Sequence, residues 1–181
     1  MKTVFFLLLL SNLSFAQLEV IEVLIEHQRS MSYYEFSGRE QVNFELTRRS
    51  FPGTDSVAYY LRVYPVNLGP KNESALFDAP YRDVYLLPSD LLKILSFIAT
   101  ATDAQQTKQK ITYWHTITDG LKMGVLFTPQ RDRFLLIQLF DASFTRQLSK
   151  GKDKNKELEA LGNFALSAYR KWNELSKPSI Q

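Results

Sequence analysis

The pattern of apolar and polar residues predicts β-strands in eight segments of the chain. The pattern is clearest at residues 41–47, where Val42, Phe44 and Leu46 would share one face and the polar residues between them the other. Comparable runs occupy residues 18–25, 33–36, 57–66, 84–87, 111–118, 121–128 and 134–140. The last of these runs is nearly all apolar, which favours a central strand covered on both sides.

Four of these runs carry more specific information. The charges in the first run indicate a bulge or an edge position. The chain is predicted to turn around Ser30 to Ser32, and residues 33–36 and 41–47 are predicted to form a hairpin. Residues 57–66 are apolar or aromatic on both faces, so we expect an interior strand with Pro65 near its end.

The pair Asp119-Gly120 predicts a two-residue type I′ turn between the strands at 111–118 and 121–128. Pairing outward from this turn sets Thr118 opposite Leu121. In that register the core face carries Trp114, Leu121, Met123, Val125 and Phe127. The other face carries Tyr113, His115, Ile117, Lys122 and Gly124, with His115 opposite Gly124.

Two segments follow a helical period. The first runs from Leu91 to about Thr102, with Ser89 or Asp90 as the N-cap. The second runs from about Lys156 to Leu175; its polar face mixes acids with bases, which favours packing on the sheet over binding to a membrane surface. The chain is therefore predicted to be an α+β protein. Its expected architecture is a mostly antiparallel sheet of about seven or eight strands with two packed helices, the last one C-terminal.

Residues 1–16 have the pattern of a signal peptide. Lys2 supplies a positive charge, residues 4–10 are apolar, and Ser14 and Ala16 are small residues at the positions that a signal peptidase reads. The apolar run is far shorter than the roughly 20 residues that span a bilayer. We predict cleavage after Ala16 and a single domain at residues 17–181. We also predict a periplasmic or secreted protein with no integral membrane segment after signal removal.

Composition narrows the classes of partner and cofactor. The chain contains no cysteine, so an exported domain must be held together by hydrophobic burial; a bacterial export route is favoured. The signal contains one of the 22 basic residues and none of the 19 acidic ones, which leaves a net charge of +2 and does not favour a nucleic-acid partner. His27 and His115 lie far apart, so neither a metal site nor a cofactor is predicted.

The order of segments in the second half of the chain carries a family resemblance. Residues 84–95 read VYLLPSDLLKIL, residues 111–114 read ITYW and residues 120–125 read GLKMGV, and the closing helix follows. This layout resembles that of small, uncharacterised exported proteins of Bacteroidetes-type bacteria. The resemblance implies export and the α+β class, and it assigns no functional residues.

The sequence contains no cysteine nucleophile, Gly-Xaa-Ser-Xaa-Gly elbow, P-loop or dinucleotide-binding fingerprint. His115 is the candidate catalytic residue, as a general base, and Tyr113 and His115 are the candidate ligand-binding residues. Ordinary strand packing is the alternative for His115.

The leading hypothesis is a non-enzymatic exported protein that binds a ligand or an envelope protein partner. One alternative is an envelope-acting hydrolase with an unrecognised site at His115. Another is a structural subunit of a surface assembly, which would have an exposed strand edge.

Overall fold

The computed structural model describes residues 20–33, 39–50, 53, 56–67, 83–104 and 110–176. The predicted signal peptide and its cleavage point lie outside these residues. The described elements are β1 (Val20–Tyr33), β2 (Arg39–Ser50), β3 (Val57–Asn67), β4 (Val84–Leu86), α1 (Pro88–Asp103), β5 (Ile111–Thr118), β6 (Leu121–Phe127), β7 (Arg133–Leu139), β8 (Ala142–Gln147) and α2 (Lys156–Leu175). A short 3-10 helix, Gly151–Asp153, precedes α2.

Each half of the fold is a four-stranded antiparallel sheet followed by a helix. The first sheet has the order β4-β3-β2-β1 and the second the order β8-β7-β6-β5. Two residue pairs, Ser32 with Thr145 and Tyr33 with Phe144, connect β1 to β8. The predicted α+β class, antiparallel pairing and two helices are confirmed. The eight strands follow the single order β4-β3-β2-β1-β8-β7-β6-β5, in which only the end of β1 pairs with β8.

Two strands differ from the sequence prediction. β1 is a single strand of 14 residues and does not turn at Ser30 to Ser32, because it pairs with β2 through this region. The β-bulge expected in the first run is present, as a register shift between Val23 and Ile25. β8 was not predicted, because it is mostly polar and Phe144 is its one deeply buried residue.

The helices and sheets share one apolar core. α1 contacts α2, β4, β5 and β6, and α2 contacts β1. Phe44 of β2 and Phe164 of α2 meet at a ring distance of 5.9 Å. The buried stripe predicted for α2 is confirmed from Leu158 to Ala168, whereas Trp172 is only partly buried. No helix within the described residues is long and apolar enough to cross a membrane.

α1 begins three residues earlier than predicted, because Pro88 occupies its first position, where the missing amide hydrogen is harmless. Leu87 is the N-cap, so the prediction of Ser89 or Asp90 is wrong. Asp90 nevertheless caps the helix from its third position, since its Oδ2 accepts the Leu87 N–H at 2.9 Å.

Candidate functional site

The β5–β6 hairpin contains a bulge that decides which of its side chains face the helices. Thr118 pairs with Leu121, as predicted, but Thr116 pairs with Lys122, so Ile117 is an extra residue in β5. An extra residue reverses the face of the sheet on which every earlier side chain of the strand lies, compared with a strand that has no bulge. The register predicted for the rest of this hairpin is therefore wrong by one residue.

The turn accounts for the bulge. Gly120 has a φ of 83°, whereas the non-glycine residues with positive φ in the described chain are Arg131 and Phe140. Asp119 therefore does not adopt the positive φ that a type I′ turn requires at both central residues, and the predicted turn type is wrong. Hairpins with a single left-handed residue commonly combine their turn with a bulge in the adjacent strand.

The bulge places both candidate residues on the helix-facing side of the sheet. Tyr113 pairs with Val125 and His115 pairs with Met123, and both partners are fully buried. The expected position of His115 opposite Gly124 is thus wrong. Tyr113 remains 44% exposed and His115 is half-buried, so both side chains lie where the core meets solvent.

Trp114 lies on the opposite, open face, although the sequence predicted it in the core. It pairs with Gly124, and the indole covers that glycine. A Cβ added at Gly124 would lie 2.8 Å from Trp114 Cε3 and 2.9 Å from the Tyr113 carbonyl oxygen. The glycine therefore allows the ring to lie against the backbone, with 48% of Trp114 still exposed.

An ion pair between the buried Asp90 and the half-exposed Lys93 fixes α1 against β5 at the bulge. Lys93 Nζ lies 2.8 Å from Asp90 Oδ1 and donates to the Ile117 carbonyl oxygen, also at 2.8 Å. Asp90 is only 2% exposed, and Lys93 and the Leu87 amide satisfy its two oxygens. The start of α1 is therefore held close to the C-terminal end of β5.

Farther along, α1 and β5 enclose a cleft of about 280 Å³. Its lining consists of the second half of α1, the middle of β5 and one residue of β6: Phe97, Thr100, Ala101, Ala104, Thr112, Tyr113, Trp114, His115 and Val125. The structure thus brings the two candidate residues together in one depression. Sequence reasoning missed the α1 wall, to which the buried Phe97 belongs.

Aromatic and small side chains line the cleft, and Tyr113 and His115 are its two ionisable side chains. The rings of Phe97 and His115 lie 6.3 Å apart, and the Tyr113 ring meets the Phe127 ring edge-on at 5.9 Å. The Thr100 hydroxyl donates to the Ser96 carbonyl oxygen at 3.0 Å. Among the described residues, no carboxylate lines the cleft. These groups suit binding of an apolar group better than proton transfer.

A polar cluster lies on the face of the first sheet that points away from the apolar core. Asn43, Glu45 and Thr47 are buried to 6%, 4% and 0% exposure, although the sequence assigned them to the solvent side of β2. Glu45 Oε2 accepts hydrogen bonds from Arg62 Nε at 3.2 Å and Nη2 at 3.1 Å, and its Oε1 accepts from the Tyr64 hydroxyl. The side chains of β3 thus cover the polar residues of β2.

Arg62 compensates the buried charge of Glu45. Arg62 also pairs with Asp83 at 3.1 Å and stacks on the Tyr64 ring at 4.5 Å. Burial raises the pKa of Tyr64, and the adjacent Glu45 carboxylate adds to this effect. Burial alone would lower the pKa of Arg62, but its hydrogen bond to Glu45 and the nearby negative charges raise it. The cluster ties β2, β3 and the residue before β4 together and serves stability.

Two further observations limit the choice of site. A polar depression of about 230 Å³ lies at the β5–β6 turn, beside Asp119, Gly120 and Asp141, and contains neither candidate residue. Within the described part of the chain, no group of three or more histidine, aspartate or glutamate side chains could hold a metal ion. The cleft between α1 and β5 therefore remains the best-defined candidate site.

No protein-family model, curated protein or solved structure matches this chain. The resemblance to small exported proteins of Bacteroidetes-type bacteria stays a prediction.

Proposed function

We propose that this chain is a non-enzymatic binding protein and that the cleft between α1 and β5 is its binding site. The observation that supports this proposal is the meeting of Tyr113, His115 and Phe97 in one largely apolar depression. Binding sites are typically concave and apolar with a few polar groups that fix orientation. At about 280 Å³ the cleft is near the lower end of the roughly 300–1,000 Å³ of small-molecule sites. It suits a single ring or one large side chain.

The alternative of a hydrolase has weaker support. A general base must lie within hydrogen-bond reach of the group that it deprotonates, which is either a side-chain nucleophile or a water molecule. The ring contact of His115 is with Phe97, and the nearby Thr100 hydroxyl already bonds to its own helix. The geometry therefore favours binding over turnover.

The proposal also includes the cellular location. We place the protein in the periplasm or outside the cell, on the basis of the signal-like pattern of residues 1–16. Its partner would be a ligand or a protein of the cell envelope.

The binding site can be tested with single-ring aromatic compounds, followed by amide chemical shifts of the protein. We expect the largest shifts at residues 112–115 and in the second half of α1. Thr100→Phe should fill the cleft from an exposed helical position and remove these shifts. Ala99→Phe is the matched control, since Ala99 is the neighbouring exposed residue outside the cleft. Saturable binding that survives Thr100→Phe would contradict the proposal.

The hydrolase alternative can be tested separately with His115→Gln. Wild type and variant are compared on peptidoglycan, glycan and ester substrates, together with their melting temperatures. We expect no turnover from either protein. Turnover by the wild type that the variant lacks, at an unchanged melting temperature, would show that His115 is catalytic and that the binding proposal is incomplete.

A further inference from the structure

β5 is a long edge strand with little protection against pairing. It has eight residues, and among the described strands it pairs only with β6. The other edge strand, β4, has three residues. Natural edge strands commonly contain lysine or proline, which hinder pairing with another strand, and β5 contains neither. The outer side of β5 therefore offers backbone hydrogen-bonding groups to another strand.

Among the residues that the structure describes, protection of this edge is confined to its C-terminal end. There the bulge at Ile117 interrupts the strand, and the Ile117 carbonyl oxygen already accepts a hydrogen bond from Lys93. The part left open runs over residues 111–116, about 20 Å at roughly 3.4 Å per residue. This length accommodates a short extended segment.

The cleft lies beside the open part of the edge. Residues 112–115 form one of its walls and α1 forms the other. A strand added to β5 would alternate its side chains between the two faces of the sheet. Residues placed opposite Tyr113 and His115 would point toward the cleft, and the residue opposite Trp114 would meet the exposed indole. Aromatic and β-branched side chains are favourable in such cross-strand pairs.

We infer that an extended segment of a partner protein pairs with residues 111–116 of β5 and inserts one large apolar side chain into the cleft. This inference rests on the proposed binding function and names the kind of ligand. Backbone hydrogen bonds to β5 would supply affinity, and the cleft would select the side chain. Because His115 is the one ionisable side chain of β5 besides Tyr113, an uncharged segment with apolar residues at alternate positions fits this edge.

The dimensions of the site favour a lone segment over a second copy of this chain. The cleft has room for about one large side chain. A second copy would bring its own α1 to the same edge, because Lys93 holds that helix against β5. A segment without an attached helix meets no such obstacle.

The test begins with a displayed library of random ten-residue peptides, selected on the wild-type protein. We expect enriched peptides with apolar residues at alternate positions. One enriched peptide is then synthesised with its backbone N-methylated at either the odd or the even positions. Methylation of the amides that face β5 should weaken binding by about tenfold or more, because several backbone hydrogen bonds are lost. Methylation of the other set should leave binding nearly unchanged.

The other outcomes separate this inference from the proposed function. If both methylated peptides bind as well as the parent, and Thr100→Phe still abolishes binding, the cleft binds side chains without strand pairing and the inference is wrong. If no selected peptide is sensitive to Thr100→Phe, both the inference and the proposed site are wrong. If sedimentation shows a dimer that Thr112→Lys prevents, the occupant of the edge is a second copy and the stated partner is wrong.

Discussion

The replacement Phe164→Ala tests whether α2 belongs to the core. Phe164 is 5% exposed and its ring lies 5.9 Å from that of Phe44 and 6.1 Å from that of His27. Burial of such a side chain contributes about 1.5–3 kcal/mol, and each ring contact adds about 0.5–1.5 kcal/mol. We therefore expect a loss of about 3–5 kcal/mol, in the range typical of phenylalanine truncation in a core.

Urea unfolding followed by circular dichroism provides the measurement, with the loss read from the midpoint at unchanged m-value. Leu166→Ala is the matched control, because Leu166 lies on the same helix and is 37% exposed; it should cost less than about 1 kcal/mol. The expected loss at Phe164 is a large share of the roughly 5–15 kcal/mol stability of a domain. Equal losses for the two variants would show that α2 does not dock through Phe164.

The remaining predictions concern four separate features. Gly124→Ala should destabilise the protein by about 1–3 kcal/mol and shift Trp114 fluorescence, because the new methyl group would collide with the indole; an unchanged melting temperature and emission would contradict this. Asp90→Asn should cost about 1–3 kcal/mol in urea unfolding, since a buried acceptor of two hydrogen bonds loses its charge, and a smaller loss would mean that the cap matters little. Because the pKa of Tyr64 is raised in the folded protein, its contribution to stability is complete below the unfolded pKa of about 10 and is lost as the pH rises through the folded pKa. Above about pH 10, the free energy of unfolding should therefore fall less with rising pH in the Tyr64→Phe variant than in the wild type. Intact mass of the protein from its native host should show cleavage after Ala16, and a form that retains the first sixteen residues would contradict the predicted signal.

Alternation and helical period were sufficient to predict most elements of the fold. They failed for β8, a strand of mostly polar residues in which Phe144 is the one deeply buried side chain. They also failed to show that Ser30 to Ser32 continue β1, because a long strand pairs through its backbone whatever its side chains are. The connection between β1 and β8 is a non-local contact that no local pattern encodes.

The polar network of the first sheet shows a different limit. Periodicity assigned Asn43, Glu45 and Thr47 to the face away from the core, and that assignment is correct. It does not follow that this face is solvated. Long side chains such as Arg62 and Tyr64 extend across from β3 and bury it. Burial of these polar residues depends on cross-strand neighbours, which the sequence of β2 alone does not contain.

The candidate site depends on one backbone feature, the bulge at Ile117. The structure places Tyr113 and His115 in one cleft, but the predicted position of His115 opposite Gly124 is wrong. The extra residue turns both side chains toward α1, and its carbonyl oxygen accepts the Lys93 hydrogen bond that holds the helix nearby. Because the same bulge also interrupts the edge at that end, it would confine the inferred strand pairing to the part of β5 that borders the cleft. The turn geometry at Gly120, rather than any catalytic motif, therefore determines where the proposed binding site would lie.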